Sequence, residues 1–171
     1  MKVFILENAF WHLLLSSIEV YPKECLGLLI GSQDIYRTVV HNAVVFQTEE
    51  RFARHVHFPK EDVHHQIVNF LDECLPHLKT VGDFHSHTKD TDYRPSKEDT
   101  SGMEAKQVYI IVHVYKKKKK IPWGYNTKKK LLVGTTRDFY FKIGAWYKEN
   151  PDQKFKLAEI VCPFAVGFRS W

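Results

Sequence analysis

What this sequence lacks narrows it first. It has no run of 18 or more apolar residues, so no segment reads as a membrane-spanning helix. Its apolar start, MKVFILENAFWHLLLSS, is interrupted by Glu7, Asn8 and His12, and no small-residue cleavage site follows. That argues against a secretory leader. Only three cysteines occur, Cys25, Cys74 and Cys162, at no pairing spacing. Such a count excludes a disulfide framework and is expected of reduced thiols in a soluble, cytoplasmic protein. Internal repeats, Ser/Gly linkers and breaks in composition are absent too. The 171 residues are therefore expected to form one domain, 1–171, long enough to bury a core unaided. A hydrophobic content of 44% and an aromatic content of 14% exclude a disordered chain.

Acid is missing from one region only. Residues 106–130 hold nine of the 25 basic residues and no Asp or Glu. The remaining 16 basic residues face 20 acids, a balance of −4, so the net charge of +5 is a property of that segment. It does not mark the whole fold as a binder of nucleic acid.

The hydrophobic pattern predicts a mixed α/β domain, a single sheet flanked by helices. Residues 8–20 place Phe10, Trp11, Leu14, Leu15 and Ile18 on one helical stripe, with Asn8 as candidate N-cap and Pro22 as the stop. CLGLLIG (25–31) and IYRTVVHNAVVFQ (35–47) read as strands. Pro59 opens a second helix, in which Val63, Ile67, Phe70, Leu71 and Cys74 recur at three- and four-residue steps. LKTVGDF (78–84) is expected to be a strand running into His85, and SKEDTSGMEAKQ (96–107) a short helix. VYIIVHVY, LLVGTT, RDFYFKIGAWY and KFKLAEIV are four more strands. The lysine-rich stretch at about 115–131 is expected to be the tip of a long hairpin.

Chemistry concentrates in VGDFHSHTKDTDYRPSKEDTSGM, residues 81–103. Two histidines at i and i+2 of an extended segment point to the same side, so His85 and His87 are able to share one metal ion. Asp99, on the helix after the loop, is the candidate third ligand. Three protein ligands plus a water is the open arrangement of a catalytic zinc site. Ser96 and Asp99 also fit a capping box, a role compatible with ligation because a capped helix fixes its ligand. The second H-x-H, His55 and His57, has no such partner phrase and reads as a strand edge. His64 and His65 fall on the second helix. His113 reads as a satisfied core residue, and His12, His41 and His77 carry no pattern.

Pro22, Glu24, Gly27, Leu29 and Gly31, then His85, Ser86 and His87, then Pro95, Ser96 and Asp99, appear in that order. Together these three motifs resemble the JAMM (MPN+) zinc metalloprotease family, over roughly residues 5–115. Two departures are visible: eleven residues separate His87 from Asp99 where the family usually has ten, so strict counting lands on Glu98, and Thr88 replaces a common proline. The intact P-S-x-x-D phrase favours Asp99.

The resemblance implies a cytidine-deaminase-like architecture and one zinc on His85, His87 and Asp99. It also implies Glu24 as general base and then acid, and Ser96 as donor to the oxyanion. The implied reaction is hydrolysis of an amide or isopeptide bond after the C-terminal glycine of ubiquitin or a ubiquitin-like protein. A short chain of this kind is similar to the stand-alone prokaryotic branch. A nucleobase deaminase would need an H-x-E and a P-C-x-x-C, and neither is present.

The alternative is a non-catalytic binding module. For that reading the candidate surface is Lys116, Lys117, Lys118, Lys119 and Lys120, with Trp123 and Tyr125 as stacking faces. An acidic partner is favoured there over nucleic acid, and the bland reading is a solvated hairpin tip.

Overall fold

A computed structural model describes residues 1–47, 61–89 and 91–167 of the chain. His55, His57 and Pro59 lie outside the described residues. Among the described residues no helix is long and apolar enough to cross a membrane.

The chain begins with a strand that the sequence reading did not expect, β1 (Lys2–Ile5). It leads at once into α1 (Glu7–Glu19), whose N-cap is Leu6 rather than Asn8, with no side-chain cap. Leu6 N–H instead donates to the Val40 carbonyl, so β1 pairing fixes where the helix starts. α1 is also rotated from the expected stripe: Ala9, Phe10, Leu13, Leu14 and Ser17 are buried, while Leu15 is 57% exposed. Ser17 tolerates burial because its hydroxyl donates to the Leu13 carbonyl at 2.7 Å.

Next come β2 (Leu26–Gln33), β3 (Arg37–Val45), α2 (Glu61–Cys74), β4 (Lys79–His87), α3 (Lys97–Gly102) and β5 (Val108–Lys116). The chain continues through β6 (Gly124–Asn126), β7 (Leu131–Thr136), β8 (Phe139–Tyr147), β9 (Lys156–Leu157), β10 (Glu159–Val161) and α4 (Pro163–Gly167). One mixed sheet runs in the order β10-β1-β3-β2-β4-β5-β8-β7-β6, with β9 added on β8. The mixed α/β class with helices on the sheet matches the expectation. The segment read as one strand at KFKLAEIV is two short ones, β9 and β10.

Register partners in paired strands share a face. Phe84, Ile110, Val112, Val114, Phe141 and Ile143 form an inner face packed against Phe10, Leu13 and Leu14 of α1. The outer face carries Leu26, Leu28 and Ile30, covered by Ile67, Val68 and Leu71 of α2. Phe70, expected on that buried stripe, is 63% exposed. Gly27 admits the close approach of β3 to β2, since a Cβ there would lie 2.2 Å from the Val44 carbonyl oxygen.

The lysine-rich stretch is not one hairpin. β5 pairs with β8, not with β6; the hairpin is β6–β7, with Lys128–Lys130 at its turn. Lys116–Lys120 sit at the other end of β7, where Lys120 Nζ donates to the Arg137 carbonyl and Lys116 faces Asp138 at 4.0 Å. At about 3.3 Å per residue, the six residues of β7 separate the two runs by roughly 20 Å.

Trp123 does not serve as an exposed stacking face. It is 4% exposed, edge-on to Phe10 at 4.9 Å and stacked on Phe141 at 5.7 Å. Gly134 makes room for it, because a Cβ there would stand 2.3 Å from the indole. Tyr125 is half-buried.

Candidate metal centre

β4 extends three residues past the expected strand, so the H-S-H sequence is itself strand, not loop. Alternation then sends His85 and His87 to the outer face and Ser86 to the inner one. Ser86 is fully buried: its Oγ accepts from Cys25 N–H at 2.9 Å, and its own N–H donates to the Cys25 carbonyl at 2.9 Å. Leu26 stands opposite His85 in the β2–β4 register. Thus Glu24, some 60 residues upstream, reaches the histidines because its neighbour Cys25 is clamped from both sides by Ser86.

Asp99 arrives on α3. Ser96 is the N-cap: its Oγ accepts from Asp99 N–H at 3.0 Å, and Asp99 Oδ2 accepts from Ser96 N–H at 2.6 Å. The capping box is therefore formed, and it leaves Asp99 Oδ1 facing His85 Nε2 at 3.4 Å and Oδ2 facing His87 Nε2 at 3.4 Å. The two Nε2 atoms are 3.0 Å apart. Both rings are nearly buried. Glu98, the residue that strict counting selects, is exposed on the first turn of α3 and stands outside this group.

His85, His87 and Asp99 form a group able to hold a metal ion. The spacing fits: two donors at about 2.0–2.1 Å from a tetrahedral ion stand about 3.3 Å apart, close to the 3.0 and 3.4 Å observed. A further contact prepares the set. His87 Nδ1 hydrogen-bonds the Asp92 carbonyl, which places the ring's proton there and directs Nε2 to the centre. No residue-type signal announces this partner, since it is a backbone carbonyl in the loop.

The electrostatics follow burial and mutual contact. Burial pushes the Glu24 carboxyl up to about 7, with His87 opposing and Asp99 reinforcing the shift. Glu24 is 2% exposed, and among the described residues its Oε1 has no hydrogen-bond partner. For Asp99 burial also works upward, but contacts from both imidazoles and from Ser96 N–H hold the carboxyl well below the usual range. Burial lowers the His85 pKa. It works the same way on His87, but there Asp99, the Asp92 carbonyl and Glu24 outweigh it and raise the value.

A cleft of about 790 Å³ opens over these residues, lined by Glu24, Asp83, Asp92, Glu98, Asp99 and Ser96, with Arg94 as its one cation among the described residues. Asp83 was not a candidate from sequence. It lies two residues before His85 on the same face, and burial, then Asp99 and Glu104, push its carboxyl up to about 8. His113 stands opposite His87 in the β4–β5 register. It is buried as expected; among the described residues neither ring nitrogen makes a hydrogen bond of full geometry, and the Thr88 backbone is the group that approaches as a partner.

The model of a family described as prokaryotic homologs of the JAB domain matches residues 8–124. The fold is similar to the solution structure of protein DSY2949 from Desulfitobacterium hafniense, with a TM-score of 0.63 and 18% identity, covering 94% of this chain and 92% of that one. No curated protein matches.

Proposed function

The chain belongs to the prokaryotic homologs of the JAB domain, and on that footing we propose that it is a cytoplasmic zinc-dependent isopeptidase or peptidase. Its substrate is an amide bond after the C-terminal glycine of a ubiquitin-like modifier or its conjugate. The observation that carries this reading is Glu24, a buried carboxyl with an unpartnered oxygen beside a His-His-Asp donor set. A buried carboxyl whose Oε1 has no hydrogen-bond partner among the described residues, pushed up to about 7, is suited to take and return a proton near neutral pH.

His85, His87 and Asp99 would hold the zinc. When bound, the ion supplies Lewis acidity and brings the pKa of water down to about 7. Glu24 takes the proton of the attacking water as its oxygen bonds to the amide carbon. It then delivers that proton to the leaving nitrogen as the C–N bond breaks. Ser96 Oγ accepts from Asp99 N–H, which leaves its hydroxyl hydrogen free to donate to the developing oxyanion. The Asp92 carbonyl holds His87 in its tautomer throughout.

The test is metal content and hydrolysis measured together. Wild type should carry about one zinc per chain and cleave a modifier fused through its terminal glycine. His87→Ala should lose the metal, and Glu24→Gln should keep it but not cleave. A wild-type chain that takes up no zinc when it is supplied would leave a binding module in place of an enzyme. Cleavage that survives Glu24→Gln would remove the assigned base.

A further inference from the structure

The outer face of the sheet does not end at the metal centre. Register places His113 opposite Lys142 and Tyr115 opposite Tyr140, on the side that carries His85 and His87. From His113 outward, rings pack on one another and lysines lie over them. His113 meets Tyr115 at 5.1 Å, and Tyr115 meets Tyr140 at 5.3 Å. Lys117 Nζ lies 4.5 Å over the Tyr140 ring, and Lys142 Nζ lies 5.5 Å over Tyr115 and 5.9 Å over Tyr93. Lys118 and Lys119 extend the array; both are exposed, and no ion pair involves them among the described residues.

We propose that this strip, from Lys142 to Lys117 and on to Lys118 and Lys119, docks an acidic polypeptide segment of the substrate, and so selects what reaches the metal centre. The inference deepens the hydrolase reading and rests on it only for the word substrate; the docking itself is independent of catalysis. Charge is the first argument. Among the described residues, the acids Asp138 and Asp92 beside these lysines already face cations, Lys116 at 4.0 Å and Arg94 at 3.8 Å. Excess positive charge on one face recruits a negative partner.

Ring geometry is the second argument, and it chooses between partner classes. Single-stranded nucleic acid needs open aromatic faces for its bases. Here Tyr140, Tyr115 and Tyr93 each have a cation over the ring, and Tyr115 and Tyr140 also pack edge-to-face. The rings therefore hold ammonium groups in place, and the groups they hold suit carboxylates. Reach is the third. From His113 to Lys117 the strand advances by about 13 Å, the span of about four extended residues. The favoured substrate thus bears its acidic residues about four or more positions from the cleaved carbonyl.

The test is binding, read by fluorescence anisotropy on the full chain. The probes are a labelled Asp-rich octapeptide, its Asn counterpart and a single-stranded oligonucleotide of equal charge. The Asp peptide should bind and the Asn peptide should not. Lys117→Glu combined with Lys118→Glu should weaken the Asp peptide about tenfold. Lys128→Glu combined with Lys129→Glu, at the far end of β7, should change it less than about twofold. Equal weakening by both pairs, or no binding by wild type, overturns the proposal. So does displacement of the peptide by the oligonucleotide at lower concentration, which would make the strip a nucleic-acid surface. Because no readout is cleavage, a failure here is separable from a failure of the hydrolase reading.

Discussion

Two regions of one sheet face sit side by side and are built in opposite ways. Over β2 and β4 the chain folds back: α3 and its preceding loop cover the strands, burying His85 and His87 with carboxylates around them. At the far ends of β5 and β8, beyond the cover that Met103 and Phe155 give Tyr109 and Ile111, the half-buried rings of Tyr115 and Tyr140 carry cations into solvent. Each region relies on a different physics. Under cover, the dielectric falls and each hydrogen bond fixes a position, which suits chemistry on a single atom. In the open, individual charge pairs are weak and salt-screened, so only their number and alignment matter. One region is expected to respond sharply to single substitutions, and the other to respond gradually to charge.

The sharpest way to break that contrast is Glu24→Gln, which keeps the shape and removes the proton carrier. It should lower kcat by about a thousandfold while zinc content measured by mass spectrometry stays at the wild-type level. Activity and metal falling together would mean that Glu24 is structural. Next in size is Trp123→Ala, which acts beneath the open region. Burial among Phe10, Phe141 and Gly134 predicts a loss of about 3–5 kcal/mol in denaturant unfolding. A loss near zero would return Trp123 to the surface.

That residue also separates what local sequence rules specify from what only the tertiary fold specifies. The metal-binding group was legible because its rules are local: alternation aims His85 and His87 together, and S-x-x-D forms a cap. The strands β2, β5, β7 and β8 were legible from their apolar runs. Trp123 was not, since its neighbours in sequence include lysines, proline and glycine, and its pocket is made by Gly134, by Phe141 and by Phe10, more than a hundred positions earlier. β1 was missed because four residues carry no period, and its place is set by parallel pairing with β3 and β10. The rotation of α1 and the exposure of Phe70 depended on which face the sheet offered. The Asp92 carbonyl left no trace at all, as a backbone group has no residue code.

Ser96 offers a finer cut within the covered region, because two roles meet on one hydroxyl. Ser96→Ala removes cap and donor, whereas Ser96→Gly removes the donor but costs the helix only a few tenths of a kcal/mol. If the hydroxyl stabilises the oxyanion, kcat should fall about a hundredfold in both variants. If it only caps α3, the Gly variant should keep nearly wild-type turnover, and thermal stability should track activity.

The smallest expected effect falls on the seam between the regions, at His113. Burial, then Lys142, lowers its pKa from 6.5 to about 4, with Asp92 and the Thr88 backbone opposing and His87 adding to the depression. The sign follows from linkage. As pH falls through about 6.5 the unfolded chain binds a proton that the folded ring refuses until about 4, so this group withdraws stability across that window and has no effect above it. His113→Phe keeps a ring in the space and cannot be protonated. In metal-stripped protein its stability relative to wild type should therefore rise by about 2 kcal/mol between pH 7 and pH 4.5. Parallel pH curves for the two proteins would mean that water reaches the imidazole, and that the covered region ends at His87 instead of one strand further.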